Sequence, residues 1–336
     1  MSIYIRYTTN ILNEYEYFVY FLKKKIFLLE KKIYNKLLNY LDKNIIYLKN
    51  ISSFIAIIDV MFSLYLSAKI NNYVKPKIFN NEKNKIKIIK GRHPVIERTI
   101  KKKYISNDIC LDNKNNQIII ITGPNMAGKS ALLRQIALIV IMAQIGSYVP
   151  AKEAKINIID SIFSRIGASD NISVGKSTFM IEMNETSNIL KNFTSKSLII
   201  MDEIGRGTST YDGISLSYSI IKYINNSILK PKLLFATHYH ELKKLLDDRN
   251  GIKYYYFSIK REINNIIFVR KLKYGISNNS YGIYIAQKAG IPNTIIKDSK
   301  KMFNNFNKKN YLFILFNKFF LYLNIIKKKI INFYMR

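Results

Sequence analysis

The sequence has no tryptophan, one cysteine, six prolines and 13 glycines among its 336 residues. The single cysteine, Cys110, excludes a disulfide framework and a metal site built from several cysteines, and it is compatible with a reducing cytoplasm. The first residues, MSIYIRYTTN, lack the apolar core of a signal peptide. No uncharged apolar run reaches the ~18 residues of a membrane span. The nearest candidate, Tyr311–Ile326, is interrupted by Lys318 and is better interpreted as an amphipathic or buried helix.

Acidic residues are also scarce: 22 Asp and Glu stand against 54 Lys and Arg, a formal net charge of +32. Such a balance suggests a polyanionic partner such as nucleic acid. A second explanation has at least equal weight, because Lys, Asn, Ile and Tyr share A- and T-rich codons and a biased genome would enrich all four. The charge therefore supports nucleic-acid binding only weakly.

Glycine and proline are absent from residues 11–75, and apolar residues recur there at helical spacing. This pattern predicts two long helices, at about residues 12–41 and 44–72. Helices of this length serve as levers or bundles, and they carry no visible chemistry.

After Pro76 the pattern changes to short apolar strands that alternate with helices, which predicts an α/β domain with a mainly parallel sheet. The predicted strands are Ile86–Ile89, Gln117–Thr122, Ser197–Met201 and Lys232–Ala236. The predicted helices are Lys129–Ile145, Ile214–Ile224, His240–Leu246, Ser280–Ala289 and Pro292–Phe306, and residues 252–271 suggest a β-ribbon.

A phosphate-binding loop follows the second of these strands. The loop consists of Gly123, Pro124, Asn125, Met126, Ala127, Gly128, Lys129 and Ser130, which match G-x-x-x-x-G-K-[ST]. It lies between an apolar strand and a helix with periodic apolar residues. Backbone N–H groups of such a loop wrap phosphates, the lysine contacts the β- and γ-phosphates, and the serine hydroxyl binds Mg²⁺. The sequence therefore predicts ATP binding with Mg²⁺.

Polar residues end two further apolar strands. Asp202 is placed to hold Mg²⁺ through water, and Glu203 to polarise the attacking water. His238 ends the next strand, at the expected ligand edge of a parallel sheet, and is interpreted as a sensor of the γ-phosphate.

These motifs, in this order, resemble the ABC-type ATPase domain of the MutS family of DNA mismatch-repair proteins, over about residues 90–300. The resemblance rests on Gly91–Glu97, residues 122–151, Ile162–Asn171, Ser177–Thr186, Asp202–Ser215, Phe235–Leu242 and Ser280–Ile283.

The resemblance implies a Mg²⁺-dependent ATPase, ATP + H₂O → ADP + phosphate, with composite sites completed by the partner in a homodimer. It places Asn125 near the γ-phosphate and gives the loop Gly205–Thr210 a position at the dimer interface. It also places Tyr104 against adenine, with Arg270 near a family histidine that lines the base.

The resemblance further implies four segments: a helical lever and core remnant at 1–80, the ATPase domain at 81–275, a helical dimerisation element at 276–306 and an unassigned tail at 307–336. The family's levers act on a DNA clamp, so the expected partners are double-stranded, mismatched DNA, downstream repair factors and a separate N-terminal fragment. No membrane is expected, and the expected location is the bacterial cytoplasm, on the nucleoid when DNA is bound. The family's mismatch-reading half is not part of this sequence.

One family motif is altered. In the family, the segment that reaches the γ-phosphate of the opposing subunit has a serine immediately before a glycine. In this chain the corresponding residues are Ser173, Val174, Gly175 and Ser177, so Val174 takes the position of that serine. Valine donates no hydrogen bond, and losing one such donor costs on the order of 2.7–4 kcal/mol of transition-state stabilisation. We therefore expect ATP binding with slowed hydrolysis.

Three alternatives remain at the level of sequence. The first is a non-catalytic ATP-binding dimerisation module, which includes the case of a decaying remnant. The second is an ATPase of another ABC pathway, such as a transporter. The third is the MutS paralogue that acts on recombination or stalled ribosomes. The motif at 202–215 and the lack of an LSGGQ-like run argue against a transporter, and no segment corresponds to the paralogue's nuclease.

Overall fold

The computed structural model describes residues 8–80, 84–100, 102–124, 127–167, 178–246, 249–262, 265–276 and 281–305. The chain is a mixed α/β protein, as predicted. Contacts divide it after Ile70 into two compact units, the second beginning at Asn71. The helices are α1 (Asn10–Asn71), α2 (Ile96–Thr99), α3 (Lys129–Gln144), α4 (Thr178–Asn192), α5 (Thr210–Asn226), α6 (Leu242–Leu246) and α7 (Gly282–Lys288), and residues 293–305 are also helical.

The N-terminal helix α1 is continuous over 62 residues, so the prediction of two helices is wrong. The interruption was expected at Asp42 and Lys43, which are polar. Neither removes a backbone donor, as proline does, or frees the backbone as glycine does, and their helix propensities lie within about 0.7 kcal/mol of alanine. Ala68 is the one buried residue of this helix.

Helix α1 is long and apolar enough to cross a membrane when length and composition alone are considered. An 18-residue window has a mean hydropathy of 1.8, and 6% of that window is buried. The search for an uninterrupted apolar run missed the segment because Asp59 lies within it. One such helix is weak evidence for a membrane span, because core helices of soluble proteins and signal sequences meet the same criteria.

In the part of the second unit that the structure describes, ten strands form two sheets. The strands are β1 (Lys77–Phe79), β2 (Ile86–Gly91), β3 (Asn107–Leu111), β4 (Ile118–Thr122), β5 (Glu153–Asn157), β6 (Ile162–Ile166), β7 (Leu198–Asp202), β8 (Lys232–Thr237), β9 (Ile252–Glu262) and β10 (Asn265–Tyr274). The smaller sheet has the order β1-β5-β2-β3, and the larger has the order β10-β9-β4-β8-β7-β6. In the larger sheet β9, β4, β8, β7 and β6 pair in parallel, while β10 pairs antiparallel with β9.

The larger sheet is buried on both faces, which explains its continuous apolar strands. All side chains of β4, β7 and β8 are buried, and they alternate between two core clusters. Ile119 and Ile121 join the cluster that contains α3, whereas Ile118 and Ile120 join the cluster that contains α5. This alternation is the two-residue period of a strand, and the parallel pairing of β4, β8 and β7 brings the carboxyl ends of these strands to one edge of the sheet.

A charged residue is enclosed at the amino end of β8. Lys232 is fully buried and donates a hydrogen bond to Asn84 Oδ1. Burial lowers the pKa of Lys232 to about 8, and the carboxylates of Asp112 and Asp160 oppose that shift only in part. A buried ammonium is costly unless it is well paired.

Replacing Lys232 with methionine should change how stability depends on pH. At pH values below 8 the lysine is protonated in both the folded and the unfolded chain, so the folded state bears the full cost of burial. Between pH 8 and the unfolded pKa of about 10.4 the unfolded chain binds more protons, so wild-type stability rises relative to K232M, by up to ~1.36 kcal/mol per pH unit. Denaturant titrations of both proteins from pH 7 to 10 measure this difference.

The exposed lysine Lys222 supplies the matched control, and K222M should follow the wild-type pH profile. Parallel profiles for K232M and the wild-type protein would show that Lys232 is not buried as a charge.

Candidate functional site

Because β4, β8 and β7 are parallel, the loops that follow these three strands all begin at one edge of the larger sheet. Thr122 at the end of β4 lies opposite Thr237 at the end of β8, and Asp202 at the end of β7 lies opposite Ala236. The residues that immediately follow, Gly123, His238 and Glu203, are therefore neighbours. Ligands of open parallel sheets bind at this carboxyl edge.

The phosphate-loop motif forms the turn between β4 and α3. Gly123 has φ +142° and Gly128 has φ +108°, values that L side chains rarely adopt. Helix α3 begins at Lys129, so its unpaired N–H groups and positive dipole end lie at the loop, as anion binding requires. Asn125 and Met126 of the motif lie outside the described residues.

The Lys129 ammonium lies at the centre of the cluster. Its Nζ donates to Gly123 O at 2.8 Å and to Pro124 O at 3.3 Å, and it lies 3.2 Å from His238 Nε2 and 3.6 Å from Glu203 Oε1. Burial lowers the pKa of Lys129, and the Glu203 and Asp202 carboxylates oppose that effect. A buried ammonium held mainly by backbone carbonyls gains from stronger anionic partners.

Glu203 adopts a strained backbone conformation directly after β7. Its φ of +55° is left-handed, which costs a non-glycine residue on the order of 1–3 kcal/mol. Its N–H donates to Ala236 O at 2.9 Å, so the ladder between β7 and β8 continues into the strained residue and holds it. The strain turns the chain at the end of the strand, with the carboxylate of Glu203 beside His238 and Lys129.

The Glu203 carboxylate is surrounded by positive and hydrogen-bonding groups. His238 Nε2 lies 2.6 Å from Oε1, and Arg206 Nη1 donates to Oε2 at 2.7 Å. The hydrogen bond with His238 is the main cause that lowers the pKa of Glu203 to about 2, and Lys129 and Arg206 add to it. The carboxylate is thus ionised at neutral pH.

Asp202 and Ser130 form an oxygen-rich pair beside Lys129. Burial raises the pKa of Asp202, and a hydrogen bond with the Ser130 side chain opposes the rise. Within the described part of the chain, Asp202 Oδ1 is buried without a hydrogen-bond partner. A carboxylate oxygen and a hydroxyl are ligands that Mg²⁺ accepts together with substrate phosphates, so this pair fits the metal predicted from sequence.

Three side chains hold the turn that follows Glu203. Glu182 on α4 accepts from Gly205 N at 2.6 Å, Tyr239 Oη donates to Gly205 O at 3.2 Å, and Ser217 Oγ donates to Ile204 O at 3.3 Å. A Cβ on Gly205 would lie 2.6 Å from the Cα of Gly213, so only glycine fits this turn. The orientation of Glu203 thus depends on α4, on α5 and on the segment after β8.

An open cavity of about 880 Å³ extends from the phosphate loop toward β3 and β10. Pro124, Ala127, Gly128, Lys129, Ser130 and Glu203 line one end, and Tyr104 and Arg270 line the other. Tyr104 Oη donates to Gln135 Oε1 at 2.8 Å, and burial raises the pKa of Tyr104 to about 12. This volume is within the range of small-molecule and cofactor pockets, about 300–1,000 Å³.

The structure therefore places most of the sequence-predicted site residues around one cavity or at its edge. Ser173, Val174, Gly175 and Ser177, which were predicted to act on the partner's site, lie outside the described residues. Sequence reasoning did not single out Glu182, Tyr239, Arg206 or Gln135. Their motifs were part of the family resemblance, but no spacing rule connects Glu182 with Gly205 or Gln135 with Tyr104.

Comparison with known proteins agrees with the resemblance. Residues 119–307 match the model of MutS domain V. The chain is 52% identical over 299 residues to the DNA mismatch repair protein MutS of Clostridium botulinum strain Okra, an alignment that covers 88% of this chain and 32% of the relative. It is 50% identical over 308 residues to the DNA mismatch repair protein MutS of Bacteroides fragilis strain YCH46, covering 91% of this chain and 36% of the relative.

The chain thus spans about a third of the length of the curated relatives it matches. The match to the domain model covers more than half of the chain and includes β4, β7 and β8 with the loops that follow them. This chain therefore belongs to the MutS family, through the domain V that its residues 119–307 match.

Proposed function

We propose that this chain is the ABC-type ATPase part of a mismatch-repair protein and hydrolyses ATP in the cavity at the carboxyl edge of the larger sheet. The observation that carries the proposal is the convergence of Lys129, Glu203 and His238 within 3.6 Å of one another. A phosphate-binding cation, an ionised carboxylate and an imidazole in one place are the groups that phosphoryl transfer to water requires.

Phosphate binding is assigned to the loop between β4 and α3. The γ-phosphate oxygens would replace Gly123 O and Pro124 O as acceptors for the Lys129 ammonium. The exchange favours binding, because a phosphate carries full negative charge and the ammonium is buried. The backbone N–H groups at the start of α3 add further donors, and Asn125 is assigned to the same phosphate.

Ser130 and Asp202 are the residues that would hold Mg²⁺. The metal supplies positive charge that neutralises the phosphate oxygens. Among the described residues no group of three or more His, Cys, Asp or Glu side chains could form a metal site of its own. A site of one carboxylate and one hydroxyl therefore depends on the nucleotide to complete it, so metal and ATP should bind together.

Glu203 is assigned the role of general base. Its carboxylate would orient water for attack on the γ-phosphate and accept the water's proton, while His238 contacts both the carboxylate and Lys129. When Lys129 is drawn to phosphate, one of the cations that lower the pKa of Glu203 moves away, so its pKa should rise and its strength as a base should increase. His238 thereby links the occupancy of the phosphate site to the base.

Replacement of Glu203 by glutamine tests the proposal. E203Q retains the side-chain shape and should bind Mg²⁺·ATP within about threefold of the wild-type affinity, because the base acts in the transition state. Phosphate release should fall by at least 10²-fold, the range expected for loss of a general base. Binding is measured with a fluorescent ATP analogue, and turnover by phosphate release.

The matched control is E153Q, since Glu153 belongs to β5 of the smaller sheet and pairs with Lys155 of the same strand. Its turnover should equal that of the wild-type chain. Equal turnover of E203Q and wild type would remove Glu203 as the base and, with it, the proposed mechanism.

We also propose a composite homodimer, in which the loop Gly205–Thr210 lies at the interface. Arg206 supports this assignment, because its side chain is 69% exposed while its guanidinium contacts the base Glu203. A partner chain that approaches Arg206 would act directly on the catalytic carboxylate. The segment 276–306 is assigned to dimerisation, and 81–275 to the ATPase domain.

Residues 1–80 are proposed to be the lever that couples ATP binding to double-stranded, mismatched DNA. The chain covers about a third of its relatives' length, and a separate N-terminal fragment and downstream repair factors are further proposed partners. Because the proposed partner is DNA, the proposed location of the protein is the cytoplasm, at the nucleoid. The tail 307–336 receives no role.

The second candidate is a non-catalytic ATP-binding dimerisation module, and Val174 favours it. If the missing hydroxyl limits turnover, V174S should raise the ATPase rate of the homodimer by about a hundred- to a thousandfold, because one transition-state donor is restored. The matched change V60S adds a hydroxyl at an exposed position of α1, outside the segments assigned to the interface, and should not raise turnover. An unchanged rate in V174S would show that the valine is not the limiting substitution.

A further inference from the structure

A single buried amide connects the two strands at the far end of the cavity. Asn107, at the start of β3, is 4% exposed. Its Nδ2 donates to Arg270 O at 3.1 Å, and its Oδ1 accepts from Leu272 N at 2.7 Å. Both arms of the amide thus bind the backbone of the same short segment of β10.

That segment is a bulge that interrupts the ladder between β10 and β9, where Ser258 Oγ of β9 donates to Lys271 O at 3.0 Å. The pairing of β10 with β9 shifts register between Phe268 and Leu272, and Arg270 within it has φ +54°, a left-handed value that arginine rarely adopts. Asn107 supplies hydrogen bonds at the position where the ladder is interrupted. The Lys271 ammonium adds a second connection by donating to Ser106 O at 2.7 Å.

The bulge directs Arg270 into the cavity that Tyr104 also lines. The Arg270 guanidinium acts on the Tyr104 phenol, since it opposes the rise in the pKa of Tyr104 that burial causes. Tyr104 is fixed in turn by its hydrogen bond to Gln135. Two flat groups with π electrons, the Arg270 guanidinium and the Tyr104 phenol, are therefore held at one end of the cavity. The phosphate loop forms the other end.

We propose that Asn107 is a positioning residue that sets the base-binding end of the nucleotide site; the inference rests on the proposed ATP site. By fixing the bulge, Asn107 holds Arg270 opposite Tyr104 so that a purine base is accepted between the guanidinium and the phenol. Its side chain bonds to Ile105 O, Arg270 O and Leu272 N, none of which belongs to the phosphate loop. Its contribution is therefore confined to recognition of the base.

The test compares a ligand that has a base with one that has none. The full-length chain and N107A are titrated calorimetrically with ATP and with inorganic tripolyphosphate, both in excess Mg²⁺. N107A should lose about tenfold in ATP affinity, the equivalent of one to two hydrogen bonds, and should bind tripolyphosphate within twofold of wild type. N107D keeps the acceptor for Leu272 N and loses the donor to Arg270 O, so it should show the same selective loss if N107A does not fold.

Asn157 provides the matched control. It is 5% exposed, belongs to the same small sheet and accepts from Lys85 N at 3.0 Å, and N157A should bind ATP as the wild type does. R270G removes the guanidinium and leaves a residue that tolerates positive φ. If Asn107 acts through Arg270, N107A combined with R270G should bind ATP no more weakly than R270G alone.

Unchanged ATP affinity in a folded Asn107 variant would overturn the inference and leave the proposed ATPase intact. An equal loss for ATP and tripolyphosphate, or additive losses in the double variant, would also overturn it, because each indicates a general distortion. A wild-type chain that binds neither ligand would instead overturn the proposed function.

Discussion

The parallel pairing of β4, β8 and β7 is the constraint on which the site depends. Parallel strands end at the same edge, so the residues that follow them meet although they are far apart in sequence. Lys129 reaches Glu203 and His238 only because β8 lies between β4 and β7. These strands are completely buried, so packing on both faces holds them in the sheet.

The strained turn at Glu203 shows how the fold maintains a functional geometry. A left-handed glutamate is unfavourable by itself, and the surrounding contacts determine it: the ladder bond to Ala236 before the turn, and Glu182, Ser217 and Tyr239 after it. Strain of this kind persists where neighbouring structure over-determines it, and it clusters at functional sites. The bulge at Arg270 follows the same logic at the opposite end of the cavity, with Asn107 as the support.

Sequence patterns predicted the parts whose cause is local. Long apolar runs revealed β4, β7 and β8 because these strands are buried on both faces, and the glycine spacing revealed the phosphate loop. Strand β5 (EAKIN) was missed because it is short and half polar, and α4 was missed because polar residues outnumber apolar ones along it. The division of α1 into two helices was wrong, since no proline or glycine interrupts the segment and the helix is continuous. The bond between Asn107 and Arg270 joins residues 163 positions apart, so only the folded chain brings it into view.

The account's central claim is that this sheet edge hydrolyses ATP, and a single-turnover assay tests it most directly. Trace radiolabelled ATP is mixed with an excess of the full-length chain, with Mg²⁺ or with EDTA, and labelled phosphate is followed over time beside K129M. The account predicts phosphate from the wild-type chain only when Mg²⁺ is present, and none above background from K129M. Bound ATP that stays intact in the wild-type chain with Mg²⁺, or equal hydrolysis by K129M, would contradict it.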